Sequence, residues 1–180
     1  MVFPPNREVP APAPDVPPVP PGLSVLHTEA TDPLARPLLT DLSDEYRRRY
    51  GESSDLTRRP AAQFAPPDGA FVLLLERGRA VAGGAYRRYD RRTAELKRIW
   101  TDSAHRRRGL GRQVLRVLEA EAARRGYGRI VLTTGPRQPE ARGLYLASGY
   151  RPLFDPDADP ESVGLLSFEK ELNGPVPGTA

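Results

Sequence analysis

Apolar and polar residues alternate over residues 23–28 (LSVLHT), the period-two pattern of a half-buried strand. The period then changes. Leu34, Leu38, Leu42 and Tyr46 recur every fourth position, which places them on one face of a helix. Asp32 suits the cap of that helix, Pro33 a first helical position and Gly51 its end. Pro37 either kinks the helix near its start or marks where its regular part begins. Residues 51–70 carry little pattern and read as a loop with room for one helical turn. FVLLLE, Arg77-Gly78 and AVAGGAYRRY read as strand, turn and return strand, with Gly83 and Gly84 weakening the second strand or admitting another backbone. AELKRIWT (94–101) is the next strand. Leu110, Val114, Val117, Leu118 and Ala122 then share a helical face over about 109–125, and Arg124, Arg125 and Gly126 suit the end of that helix. GRIVLTT (128–134) is nearly continuous in apolar character, as a central strand is. A short helix over 138–149 follows. YRPLF and VGLLSFEKEL supply two last strands around an acidic loop at 155–162. The order alternates strands and helices without an internal repeat.

Composition sets the boundaries of this unit. Residues 1–22 hold nine of the 21 prolines and no periodic apolar pattern, so they read as a disordered, partly polyproline-like tail. Residues 173–180 read as a second, shorter tail, which leaves one globular domain over 23–172. No apolar run is long enough to span a bilayer and the N-terminus lacks a basic region followed by an apolar core, so the expected location is the cytoplasm, with no membrane partner. Cysteine is absent, which removes disulfide and thiol chemistry. The two histidines, His27 and His105, lie too far apart in sequence to make a metal-ligand motif, and no metal is expected.

The net charge of +4 comes almost wholly from arginine, since Lys97 and Lys170 are the only lysines. A basic chain can meet nucleic acid or an anionic small ligand. The arginines are dispersed and no recognition helix, zinc set or aromatic RNA motif accompanies them, so no nucleic-acid partner is expected. One stretch, AHRRRGLGRQVL (104–115), does carry specific chemistry. Three arginines run into Gly109 and Gly111 at the start of the long helix. The first turn of a helix has unpaired N–H groups and a partial positive charge, and glycine keeps those groups reachable by an anion. Arg106, Arg107 and Arg108 can add charge-assisted contacts, although at least one of them is expected to be solvated. The segment is neither a Walker loop nor a dinucleotide fingerprint, since position 114 is valine.

What it does match is R-x-x-G-x-G, as Arg106, Gly109 and Gly111, between a strand ending in Trp100-Thr101 and an amphipathic helix. The strand IVLTT follows, and then Gln138, Ala141, Leu144, Tyr145, Gly149 and Tyr150 in the pattern Q-x-x-A-x-x-L-Y-x-x-x-G-Y. Residues 94–153 thus resemble the acetyl-CoA-binding half of the GNAT superfamily of N-acetyltransferases. The resemblance implies an α/β (α+β) fold with a mixed, mostly antiparallel sheet of six to seven strands, helices on both faces, and a parallel pair that splays apart, here 94–101 and 128–134. It implies acetyl-CoA as cosubstrate, with pantetheine along Trp100 and Thr101 and the pyrophosphate on Arg107, Arg108, Gly109, Leu110, Gly111 and Arg112. Arg106 and Gln138 belong to the same cofactor-binding set.

The resemblance also implies a mechanism. An alkylamine with a pKa of roughly 10 is protonated near pH 7, so a base must take its proton, and the departing thiolate gains from a nearby donor. Tyr145 is the expected donor, and it also packs on the cofactor. Glu95 is the expected base. The acceptor is expected to be a small amine bound among Glu45, Tyr46, Tyr50, Tyr86, Arg88, Tyr89 and Asp90. Acetylation of a protein N-terminus or lysine, or cofactor binding without catalysis, are the alternatives. The residues leave the oligomeric state open, a homodimer included.

Overall fold

The computed structural model describes residues 17–51 and 60–172. Its centre is a mixed sheet of seven strands: β1 (Leu23–Thr28), β2 (Ala70–Glu76), β3 (Arg79–Arg88), β4 (Thr93–Thr101), β5 (Arg129–Thr134), β6 (Arg151–Pro152) and β7 (Leu166–Glu171), in the spatial order β1-β2-β3-β4-β5-β7-β6. β4 and β5 are parallel and every other neighbouring pair is antiparallel. Among the described residues the α-helices are α1 (Arg36–Tyr50), α2 (Leu110–Arg124), α3 (Pro139–Ala147) and the single turn α4 (Pro160–Val163).

The choice left open at Pro37 is decided by an interruption. Asp32 caps a 3-10 turn, Pro33–Ala35, by accepting from the Leu34 N–H at 2.9 Å, and α1 begins anew at Arg36 with Pro37 in its first positions. There the N–H that proline lacks would have no partner within the helix. Leu38 and Leu42 of the apolar stripe are buried against the sheet, with Leu34 and Tyr46 at its margins.

The two faces of the sheet carry separate cores. On one, α2 and α3 cover Val72, Leu74, Tyr86, Leu96, Ile130, Leu132 and Phe168. On the other, α1 and the 3-10 turn Ala61–Phe64 cover Phe71, Leu73, Ala85 and Trp100. Gly83 and Gly84 let both layers come close. A Cβ on Gly83 would meet Leu38 of α1 at 2.9 Å and the Val72 carbonyl at 2.8 Å, and one on Gly84 would meet Ile99 at 2.6 Å and Leu118 of α2 at 3.1 Å.

Three expectations change. YRPLF contributes only the two-residue β6, and the last strand starts at Leu166 because Asp159, with its side chain accepting from the Glu161 N–H, and Pro160 start α4 inside the acidic segment. The end of the proline-rich stretch also packs on the domain. Gln113 donates to the Pro18 carbonyl at 3.1 Å and Val19 lies against the core, so the body reaches back past Leu23. Residues 1–16 and the 173–180 tail lie outside the described residues.

Candidate functional site

β4 and β5 pair only over Thr93–Arg129, Ala94–Ile130 and Glu95–Val131. β4 then bends away. Between Lys97 and Trp100 it bulges against β3, with Lys97 opposite Ala85 and Trp100 opposite Gly83, and Arg98 in that bulge has φ 59°. A bulge turns the strand and increases its local twist. The strands therefore diverge, and a cleft of about 1260 Å³ opens between them. β4 lines it from Leu96 to Thr101, α2 with its leading loop lines one end, and α3 and α1 supply the walls.

At the α2 end the backbone forms a concave row. Arg106 is extended (φ −64°, ψ 161°), Arg107 is left-handed (φ 63°) and Gly109 is left-handed (φ 75°, ψ 10°). Left-handed steps of this kind occur in turns whose successive N–H groups bind anions. α2 has no side-chain cap, so its first-turn donors remain available where the helix dipole is positive. Arg106, Arg107 and Arg112 line the same end. The two glycines serve different needs. At Gly109 there is open space for a Cβ, and the requirement is its positive φ. At Gly111 the backbone is helical, and a Cβ would press on Leu144 at 3.0 Å.

Trp100, Thr101, Arg106, Arg107, Gly109, Leu110, Gly111, Arg112, Gln138 and Tyr145 all line this cleft. Two of them are also built into the walls. Trp100 donates its indole N–H to Asp41 at 3.1 Å, fastening α1 to β4. The Gln138 side-chain oxygen Oε1 accepts from the Thr134 hydroxyl at 2.9 Å and the Gly135 N–H at 3.0 Å, fastening α3 to the end of β5.

Arg108 is not among the lining residues. Its side chain turns out to Glu76 of β2, with its nearer nitrogen at 2.7 Å. Glu95 also stays out of the lining. It lies where β4 and β5 still pair, is 7% exposed, and is gripped by Arg87 and by Lys97 at 3.0 Å. Lys97, not Glu95, reaches the cleft from this face of β4.

Tyr145 projects from α3 into the cleft while its ring packs on Tyr150 and Phe168, with centroids at 5.8 and 5.6 Å. Burial, reinforced by the neighbouring Tyr46, raises its pKa well above the ordinary phenol value, so its hydroxyl keeps its proton. Among the residues expected to meet an acceptor, Glu45, Tyr46 and Tyr50 of α1 line the cleft. Tyr86 is instead buried under α2, edge-on to Tyr127 at 5.9 Å, and Arg88, Tyr89 and Asp90 lie at the β3–β4 turn.

The sequence reading missed a latch between α1 and the loop after β5. The Tyr50 hydroxyl accepts from the Arg137 N–H at 3.1 Å. Arg137 donates to the Arg49 carbonyl at 2.8 Å and to Glu161 at 2.7 Å. Arg49 reciprocates to the Arg137 carbonyl, pairs with Glu45 at 2.8 Å, and reaches Glu140 of α3. All six side chains line the cleft, so the latch bridges its two walls. The only available signal was a run of charged residues at a helix end, which usually marks a solvated face.

Residues 36–150 match the model of the acetyltransferase (GNAT) family. An uncharacterized N-acetyltransferase of Bacillus subtilis, YsnE, is 35% identical over 119 residues, which is 56% of this chain and 79% of that protein. A GNAT-family acetyltransferase of Staphylococcus aureus superposes with a TM-score of 0.67 at 16% identity, covering 84% of this chain and 99% of the other. A GNAT-family acetyltransferase of Elizabethkingia anophelis, solved with acetyl-CoA bound, gives 0.59 at 17% identity, covering 85% and 100%. The splayed β4–β5 pair, the open helix start between them and these likenesses agree: the chain belongs to the GNAT family and is an acyltransferase that draws its acyl group from acetyl-CoA.

Proposed function

We propose that the protein acetylates the amine of a small molecule, with the pyrophosphate of acetyl-CoA on the first turn of α2 and the acceptor in the arm of the cleft beside α1. The observation that carries the cofactor assignment is the uncapped α2 start, with its left-handed Arg107 and Gly109 and with Arg106, Arg107 and Arg112 on the same hollow. Beyond Glu95 the β4 backbone leaves β5, so its polar groups are available to an extended ligand laid along Leu96–Thr101. Bound acetyl-CoA supplies an activated thioester, and the chain supplies orientation and proton handling.

Tyr145 is the group assigned to the sulfur. Because it holds its proton firmly, it acts by donating a hydrogen bond to the charge that develops there. Glu95, clamped between Arg87 and Lys97, is poorly placed to take the amine's proton. Glu45, the carboxylate that α1 presents to the cleft, is assigned that task in its place. The reading of a small acceptor rests on the latch. Arg49, Tyr50, Arg137, Glu140 and Glu161 tie one wall to the other, which suits a compact acceptor better than a protein surface.

A thiol-release assay with acetyl-CoA against a panel of small amines, amino acids, aminoglycosides and peptides tests this. Turnover confined to small amines is the expected result. Efficient turnover of peptide N-termini or lysines, with small amines inert, would overturn it.

A further inference from the structure

The loop that forms the anion hollow has little backbone support of its own. Asp102 is tied to the Val81 carbonyl at 2.9 Å and His105 to Asp102 at 2.9 Å, but the N–H groups of Arg106 to Gly109 donate to no backbone carbonyl among the described residues. Arg107 nonetheless holds a left-handed conformation that a residue with a side chain adopts only when its surroundings enforce it. The enforcing contacts lie on both flanks. On one side His105 meets Asp102 through Nδ1 and Glu76 through Nε2 at 3.4 Å. On the other, Arg108 meets both Glu76 oxygens, at 2.7 and 3.4 Å. One carboxylate at the end of β2 thus holds both ends of the Arg106–Arg107 step.

Glu76 itself is well set for this. The hydrogen bond from Arg108, partly opposed by burial and aided by the charges of Arg108, His105 and Arg77, keeps its carboxyl below the ordinary value. It immediately precedes the tight turn at Arg77 (φ 51°) and Gly78 (φ 77°), which fixes the strand end from which it projects.

We propose that Glu76 is a positioning residue for pyrophosphate binding: by drawing Arg108 and His105 outward it keeps the Arg106–Gly109 backbone turned toward the cleft. Glu76 and Arg108 touch no cofactor in this scheme. The proposal rests on the pyrophosphate lying at the start of α2.

The test compares two ligands by calorimetry, acetyl-CoA and S-acetylpantetheine, which lacks the pyrophosphate. In the wild-type protein acetyl-CoA should bind far more tightly. Glu76→Gln should weaken acetyl-CoA by about three- to tenfold, the scale of an exposed but networked ion pair, and leave S-acetylpantetheine unchanged. The charge reversal Glu76→Arg with Arg108→Glu should recover most of that loss, and the melting temperature without ligand should stay near the wild-type value. Equal weakening of both ligands, no weakening of either, or failure of the reversal to recover affinity would each overturn the positioning role. If wild-type protein binds the two ligands equally well, the pyrophosphate assignment falls first and this inference with it.

Discussion

Replacing Tyr145 by phenylalanine removes one oxygen atom from the centre of the cleft. The ring contacts with Tyr150 and Phe168 are kept, so the fold loses at most one net hydrogen bond, about 0.5–1.5 kcal/mol, or a few degrees in melting temperature for a chain of this size. On the proposed assignment the chemical effect is larger. A thiol has a pKa of about 8.5 and a free phenol about 10, so complete proton transfer from tyrosine to the departing thiolate is already uphill by about 2 kcal/mol. Burial and Tyr46 raise the Tyr145 pKa further and make the transfer harder. On the proposed assignment the hydroxyl therefore stabilises the developing charge as a hydrogen-bond donor. Removing a donor of that type costs about 10²–10³ in kcat, roughly 2.7–4 kcal/mol. Stopped-time thiol release on one acceptor at saturating acetyl-CoA measures this, with circular dichroism as the control for folding. The alkaline side of the pH–rate profile gives a second reading. Tyr145 should not ionise below pH 10, so the Phe variant should be slower at every pH and keep the wild-type profile shape. A variant retaining more than about a third of wild-type kcat would refute the donor role. Loss of an alkaline limb that the wild type shows would refute the raised pKa.

The same assay separates the two carboxylates: Glu45→Gln should lower kcat, while Glu95→Gln should chiefly lower stability by removing the charge that Arg87 and Lys97 grip. Gly109→Ala should cost about 1 kcal/mol of stability for its positive φ and weaken acetyl-CoA binding, whereas Gly111→Ala should be nearly neutral in denaturant unfolding, because better helix propensity offsets the displacement of Leu144. Deleting residues 1–20 should cost about 1–3 kcal/mol by stranding the buried Gln113 amide and removing Val19, while deleting 1–16 should be silent in thermal melts. Burial pushes Tyr86 up to about 12 and moves Tyr145 and Tyr150 upward as well. Between about pH 10, where unfolded tyrosine ionises, and pH 12 the native state binds more protons than the unfolded one, so stability should fall steeply with rising pH in that window and be flat just below it.

The parts of the fold and site that depend on local pattern were legible along the chain. α2 could be placed because an apolar period, a glycine start and a basic end coincide, and β5 because its apolar run is short and bounded. The residues around Gly109 and Tyr145 came from spacing and family likeness together, and they do converge on one cleft. What escaped depends on relations between distant residues. Three identical arginines cannot announce that the third turns to Glu76, since that follows from a left-handed step at Arg107 and from a strand residue 32 positions away in sequence. Glu95 read as available because Arg87, its partner directly opposite on the adjacent strand, depends on register. The bulge at Arg98 is a mismatch between two strands and has no meaning on one of them. The latch was invisible because Arg49 and Arg137 are 88 positions apart and look like surface charge.

The divergence of β4 from β5 leaves a strand border inside the protein, over Leu96–Thr101. A row of unused N–H and C=O groups on an outer strand invites pairing with another chain and, in crowded solution, insoluble assembly. This border is guarded by enclosure. α1 stands on one side, α3 on the other, and Arg49, Tyr50 and Arg137 cross between them, so a foreign strand cannot lie down along it. The sheet's outer margins are managed differently: β6 is only two residues long and contains Pro152, which has no N–H to offer. Among the described residues the six-residue β1 is thus the outer margin with the longer unpaired edge, and solubility-enhancing substitutions belong there rather than near the cleft.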